Sequence, residues 1–298
     1  MASSHLFFGS ITALITPFKA NDVEQVDYDA LEKLIERQIA AGTHGIVPCG
    51  TTGESPTLSN EEHDNVIEFA IKVASKRVKI LAGTGSNSTR EAIERTLHAQ
   101  KAGADGALIM TPYYNKPTQE GLYQHFKAIH DATNISIVLY NIPGRSVVDI
   151  NDATTARIAE LPRIVGIKDA TGNLARVSSL KNLLPKDKEF ALISGDDETA
   201  IDFNKLGGVG CISVTSNLFP EECAKMQAAS LLGNFEDAER INAKIATFHK
   251  ALFCETSPAP VKYLAEKMGL CNGGLRLPLV EVSAGAKTVL DGALAGKK

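Results

Sequence analysis

Short apolar runs recur along this chain, and the segments between them carry apolar residues at helical spacing. The runs cover residues 9–18, 44–50, 78–85, 106–114, 135–143, 164–170, 190–197 and 211–217, most of them ending in Gly, Pro, Thr or Asn. Several are almost continuously β-branched or aliphatic, as in Ile135-Ser136-Ile137-Val138-Leu139. A strand with one wet face alternates polar and apolar residues, whereas a continuous apolar run needs cover on both faces, as in a parallel sheet flanked by helices. The intervening segments carry helix punctuation. Ser59 with Glu62, and Ser88 with Glu91, stand at capping-box spacing, and Gly42, Gly103 and Gly207 stand where helices should stop.

Eight strand–helix alternations predict an α/β protein of the (β/α)8 TIM-barrel class, closed by right-handed crossovers. From about residue 220 the pattern becomes helical for longer than one closing helix requires. Residues 1–220 are therefore expected to form the barrel core. Residues 221–298 are expected to form the closing helix and a C-terminal helical extension within the same structural unit. Ser257-Pro258-Ala259-Pro260 reads as a turn inside that extension. A doubly wound open sheet would announce a nucleotide site with a glycine-rich turn after an early strand. The nearest candidate, Gly83-Thr84-Gly85-Ser86-Asn87-Ser88, lacks the third glycine.

Length and composition fit this picture. The 298 residues suit one closed barrel of roughly 250 residues, and 44% hydrophobic with 22% charged residues is ordinary for a globular chain. The net charge is −4, with Lys and Arg scattered. Nucleic acid is not expected as a partner, since phosphate neutralisation needs a concentrated basic face. The five cysteines, Cys49, Cys211, Cys223, Cys254 and Cys271, are odd in number and widely spaced. They point to neither a disulfide framework nor a metal site, and are expected to be small buried side chains. Met1-Ala2-Ser3-Ser4-His5 lacks the features of a signal peptide. No apolar run of about 20 residues suggests a membrane span. A cytoplasmic protein with no membrane partner is expected.

In a barrel, chemistry gathers at the C-terminal ends of the strands. That rule selects Thr51 and Thr52 after strand two, Tyr113 and Tyr114 at strand four, Tyr140 and Arg145 at strand five, and Lys168 near the end of strand six. Lys168 lies in the apolar stretch Ile164-Val165-Gly166-Ile167-Lys168. Burial favours the neutral form of a lysine, and a neutral amine attacks a ketone to give an iminium that serves as an electron sink. The plainer alternative is a lysine that snorkels to solvent, and position alone leaves both open. The Tyr140 hydroxyl could pass protons, though a core tyrosine is the commoner case. Gly50-Thr51-Thr52-Gly53-Glu54 offers N–H groups and hydroxyls to a carboxylate, or is simply a turn that needs glycine. Arg145 could grip a carboxylate with two hydrogen bonds, but exposed arginines are common.

Taken together, these residues resemble the dihydrodipicolinate synthase/N-acetylneuraminate lyase family of pyruvate-dependent aldolases. The motifs run in order through most of the chain: Gly50-Thr51-Thr52-Gly53-Glu54, Tyr113-Tyr114-Asn115, Tyr140-Asn141-Ile142-Pro143, Gly166-Ile167-Lys168, Ser194-Gly195-Asp196-Asp197 and Gly207-Gly208-Val209-Gly210. The paired threonines, Arg145 and the stretch from Thr111 to Phe126 resemble the synthase branch. Ser146-Val147-Val148 departs from it, since a threonine usually follows the arginine.

The resemblance implies condensation of pyruvate with L-aspartate 4-semialdehyde in the diaminopimelate route to lysine. Lys168 would carry the iminium, and Thr51 and Thr52 would hold the pyruvate carboxylate. Gly195 and Ile212 would line the same pocket through their backbone. Arg145 would hold the second substrate, and Tyr140, Thr52 and Tyr114 would relay protons. Tyr114 would reach in from a neighbouring subunit of a homotetramer built as a dimer of dimers. No metal or organic cofactor is implied. An L-lysine effector pocket would use Ser55, His63, Gly85, Asn87, Glu91 and Tyr113, with Pro56 and Asn60 less usual there. The competing expectations are a sialic-acid or 2-keto-3-deoxy sugar acid lyase, a catalytically silent barrel serving as a binding protein, and a phosphate-binding barrel using Gly207-Gly208.

Overall fold

The computed structural model describes residues 4–297. Residues 1–3, on which part of the signal-peptide expectation rests, and residue 298, the end of the expected extension, lie outside them. Eight parallel strands close into a barrel: β1 Gly9–Ala13, β2 Gly45–Val47, β3 Lys79–Gly83, β4 Gly106–Met110, β5 Ser136–Asn141, β6 Ile164–Asp169, β7 Ala191–Ser194 and β8 Gly210–Ser213. Their order around the barrel is their order in the chain, and β1 closes the ring by pairing with both β2 and β8. A closed ring excludes the open doubly wound sheet. The seam depends on glycine: a Cβ on Gly210 would stand 2.4 Å from the backbone of Gly9.

Helices follow the strands in turn: α1 Tyr28–Ala40, α2 Asn60–Ala74, α3 Thr89–Ala102, α4 Gln119–Ala132, α5 Asp152–Ala159, α6 Ala175–Leu183, α7 Ala200–Lys205 and α8 Pro220–Leu231. The extension adds α9 Phe235–Asn242, α10 Ala246–Ala251, α11 Ala259–Lys267 and α12 Ala284–Gly296. Each strand buries both faces. Ile11, Val47, Leu81, Leu108, Val138, Ile193 and Ile212 fill the barrel interior, while residues such as Ile46, Ile80, Ile109, Ile137 and Ile167 meet the helices. At roughly 1.5–3 kcal/mol for each fully buried aliphatic side chain, two apolar faces per strand account for the continuous runs in the sequence. No helix among the described residues is long and apolar enough to cross a membrane.

Several local expectations need correction. The first run, 9–18, divides: β1 ends at Ala13, and Phe18–Lys19 pairs antiparallel with Asp22–Val26. The intervening backbone is satisfied elsewhere, with Ile15 N donating to Asn217 Oδ1 at 3.0 Å and Pro17 O accepting from Asp27 N at 2.9 Å. Strand β4 stops at Met110, so Tyr113 and Tyr114 sit on the following loop, where Pro112 has no N–H for a ladder. Ser59 and Glu62 form a complete capping box, but Ser88 and Glu91 form half of one. Ser88 Oγ accepts from Glu91 N at 3.4 Å, while the Glu91 carboxylate accepts from Ser86 Oγ at 2.8 Å.

Only three of the cysteines are buried; Cys254 is exposed and Cys271 half-buried, and all five are free thiols. Pro258 caps α11, so the Ser-Pro-Ala-Pro stretch opens a helix. Gly207 takes φ 110°, and a Cβ on Gly208 would stand 2.3 Å from Phe203. A tight helix-to-strand turn therefore accounts for this pair without a phosphate.

Candidate active site

Strand register brings the central pair together. Tyr140 on β5 is the register partner of Lys168 on β6, and Lys168 that of Ile193 on β7. Tyr140 and Ile193 belong to the interior cluster, and in-register residues of neighbouring strands share a face, so Lys168 projects inward with them. Lys168 is 6% exposed, and its Nζ lies 4.1 Å from the centroid of the Tyr140 ring. Neither the Lys168 ammonium nor the Tyr140 hydroxyl has a hydrogen bond to another described residue. Gly195 gives the lysine its room, since a Cβ there would meet Lys168 Cε at 3.0 Å and Ala170 Cβ at 2.7 Å. Ile212, buried on β8, belongs to the same interior cluster. The next residue along β6, Asp169, turns to the helix side, where its carboxylate accepts from Arg176 Nε at 2.8 Å.

The second element is the turn after β2. Gly53 N donates to Gly50 O at 3.1 Å and Glu54 N to Thr51 O at 3.2 Å, folding Thr51 and Thr52 into a compact loop. Thr52 is buried and Thr51 half-buried. Thr16 Oγ1 donates to Gly53 O at 2.7 Å. The Glu54 carboxylate accepts from Lys262 Nζ at 2.6 Å and from Arg276 N at 3.3 Å. Burial pushes the Lys262 ammonium below its ordinary value, with Glu54 opposing that shift. The sequence marks the turn as able to take a carboxylate but does not mark Lys262 or Arg276. The only signal was a lysine inside the apolar stretch Ala259-Pro260-Val261-Lys262-Tyr263-Leu264-Ala265, which marks a need for a partner without naming it.

Arg145 lies on a short helical turn, Pro143–Ser146, where its guanidinium donates to Ser257 O at 3.2 Å. It borders a cavity of about 260 Å³ with Thr51, Ser55, Gly85, Arg95, Met110 and Tyr113. Lys168 and Tyr140 are not among the residues lining that cavity; Met110, the register partner of Tyr140, connects the two groups. Tyr114 stands apart from the pair within its own chain, 89% exposed and with φ 70°.

The residues expected around an effector are divided. Ser55, Gly85 and Tyr113 share the cavity with Thr51 and Arg145, whereas Glu91 borders a smaller cavity with Asn60, Asp64, Glu94 and Arg95. Arg95, unremarked in the sequence, lines both, donating to Gly85 O at 3.4 Å and Asn60 Oδ1 at 3.3 Å. His63 lines neither. It is buried, its Nε2 donates to Gly83 O at 2.9 Å, and burial, reinforced by Arg95, pushes its imidazole down toward the neutral form. Asn87 is half-buried, and its carbonyl accepts from Asn115 Nδ2 at 2.9 Å. Among the described residues no group of three or more His, Cys, Asp or Glu side chains is placed to hold a metal ion.

Comparison with known proteins gives the family and the fold. Residues 6–296 match the model of the dihydrodipicolinate synthetase family. A 4-hydroxy-tetrahydrodipicolinate synthase of Parvibaculum lavamentivorans is 53% identical over 97% of this chain and 98% of its own. One from Hyphomonas neptunium is 50% identical over the same shares. Among solved structures, the chloride-inhibited dihydrodipicolinate synthase of Acinetobacter baumannii complexed with pyruvate superposes with a TM-score of 0.93 at 50% identity, covering 97% of this chain and 98% of that one. The enzyme of Cyanidioschyzon merolae with lysine bound gives 0.93 at 38% identity and 98% of both chains. The match takes in all eight strands and the C-terminal extension alike, and the chain belongs to the dihydrodipicolinate synthetase family.

Proposed function

We propose that this chain is a 4-hydroxy-tetrahydrodipicolinate synthase that condenses pyruvate with L-aspartate 4-semialdehyde through a Schiff base on Lys168, in the diaminopimelate route to lysine. The observation that carries this reading is the state of Lys168: buried, without an ion pair or hydrogen bond to another described residue, and with its Nζ 4.1 Å from the centroid of the Tyr140 ring. An amine with no structural partner is available as a nucleophile. It adds to the pyruvate ketone, and the carbinolamine loses water to give the iminium. Loss of a methyl proton gives the enamine, whose carbon attacks the aldehyde. The amino group of the second substrate then attacks the iminium carbon, closing the ring and releasing Lys168.

Thr51 and Thr52 hold the pyruvate carboxylate, with backbone from Gly195 and Ile212 lining the pocket, and Arg145 holds the carboxylate of the second substrate. Tyr140, Thr52 and Tyr114 move the protons. Borohydride trapping with pyruvate, read by intact mass and peptide mapping, is expected to leave one reduced pyruvate on Lys168. Folded protein that gives no adduct there rules the reading out.

The same reading extends to assembly and control. Tyr114, 89% exposed in its own chain, completes the site of a neighbouring subunit in a homotetramer. L-lysine inhibits from a pocket built on Ser55, His63, Gly85, Asn87, Glu91 and Tyr113; the lysine-bound relative supports this part. Five free thiols suit a reducing, cytoplasmic setting. Light scattering tests the tetramer. Initial rates that do not change with millimolar-scale lysine at subsaturating pyruvate would remove the effector pocket.

A further inference from the structure

Glu54 ends the Thr51-Thr52 turn and points away from the cavity, into the C-terminal extension. Its side chain and that of Lys262 are both 0% exposed, and Nζ and Oε1 are 2.6 Å apart. Lys262 Nζ also donates to Thr16 O at 3.0 Å, and the hydroxyl of that same Thr16 donates to Gly53 O. The lysine thus grips the turn twice, once through the Glu54 carboxylate and once through Thr16. Phe18 closes the arrangement, its ring 4.1 Å from Lys262 Nζ and 4.4 Å from Arg276 Cζ. Arg276 adds its backbone N–H to Glu54 and pairs its guanidinium with Glu62 at 2.7 Å. Glu54 takes φ 55°, a left-handed conformation that a non-glycine residue keeps only when its surroundings over-determine it. Glu54 and Lys262 are 208 positions apart in the chain, so the extension, rather than the local sequence, supplies that determination.

We propose that Lys262 is a positioning residue: acting through Glu54 and Thr16, it fixes the backbone of the Thr51-Thr52 turn and so sets pyruvate affinity from the C-terminal extension without touching pyruvate. The inference rests on the reading that this turn holds the pyruvate carboxylate. It makes the extension part of the site's construction and not only a cover for the barrel wall.

The test is the double variant Glu54→Gln/Lys262→Met, which removes both charges and leaves neither ion buried alone. KM for pyruvate is expected to rise about tenfold or more while kcat stays within about threefold, the pattern of weakened ground-state positioning. Hydrogen exchange at the Gly53, Glu54 and Ser55 amides is expected to accelerate, with the β5 amides unchanged. A purely structural pair would lower the melting temperature and the active fraction while leaving KM and local exchange as in the wild type, and that result overturns the proposal. If the double variant does not fold, Thr16→Val decides. It removes one hydroxyl of the same network, and a rise of about threefold in KM supports the proposal, whereas an unchanged KM overturns it. Failure of wild-type protein to trap pyruvate on Lys168 would fall on the Schiff-base reading instead; the amide exchange would then still decide whether Lys262 fixes the turn.

Discussion

Two lysines are buried among the described residues, each with its Nζ 4.1 Å from the centroid of an aromatic ring, and their surroundings are opposite in kind. Lys262, on Phe18, has a carboxylate and a carbonyl within 3.0 Å. Lys168, on Tyr140, has neither. A buried ammonium is costly unless it is paired or can shed its proton. Where the fold supplies the partner, the lysine joins two distant segments. Where the fold withholds it, as at Lys168, the amine has no partner among the described residues, which the proposed Schiff base requires. The difference lies in the wall around each: Glu54 is turned to face the extension, whereas Tyr140, Ile193 and Gly195 offer Lys168 no anion.

The largest expected effect separates the two by activity. Lys168→Met should cut turnover by more than about 10³-fold and abolish borohydride trapping, because the nucleophile is gone. Its unfolding midpoint should match or exceed the wild type, since no ion pair is lost. A large loss of stability would show that Lys168 is structural and collapse the contrast. Lys262→Met should do the reverse, losing about 3–5 kcal/mol in urea unfolding because Glu54 is left buried without a counter-charge. Most of that loss should return in Glu54→Gln/Lys262→Met. A single-variant loss below about 1 kcal/mol would break the comparison from the other side.

A third buried base sharpens the contrast by solving the same problem through neutrality. Burial pushes the His125 imidazole down from 6.5 to about 4, and its Nδ1 lies 2.9 Å from Thr89 Oγ1. Its neutral form is fully favourable above about pH 6.5 and becomes a liability as the pH falls toward 4, where the unfolded chain binds a proton that the folded one resists. Stability should therefore drop across that window by roughly 3 kcal/mol at most. His125→Gln should flatten the pH dependence of the melting temperature, and an unchanged slope would remove His125 as its source.

The smallest expected effect concerns the Arg145 loop beside the Lys168 site. Val147 is β-branched, 66% exposed and at φ 63°, a conformation that glycine adopts without strain. Val147→Gly should raise stability by about 1 kcal/mol, read as a rise of about 1–2 °C in melting temperature. A fall would mean that the valine side chain is held by contacts not seen in the single chain.

Much of the barrel was legible because its signals are local. Two-faced burial writes itself into a strand as an unbroken apolar run, and glycine at a left-handed helix end, as at Gly103 with φ 95°, can be read one residue at a time. Lys168 was legible as an anomaly, a charge inside such a run. The short pairing of Phe18–Lys19 with Asp22–Val26 was not, since two residues carry no period. The half-formed cap at Ser88 escaped for a related reason: spacing shows that Glu91 can reach back, but not that Ser86 Oγ competes for its carboxylate. The expected effector set was divided by α2, which buries His63 against Gly83 O and away from both cavities.

The sequence by itself determined the eight-fold alternation, the side of the barrel on which polar residues gather, and the lysine that stands out there, because period and local composition act over a few residues. Only the tertiary structure decided which buried lysine is free. Lys168 and Lys262 both lie in apolar stretches, and only Lys168 stood out in sequence. Their fates are set by register with β5 in one case and, in the other, by a contact across 208 positions with Glu54. Electrostatic pairing acts through space, and no local pattern records what chain closure will bring to within 3 Å of an ammonium.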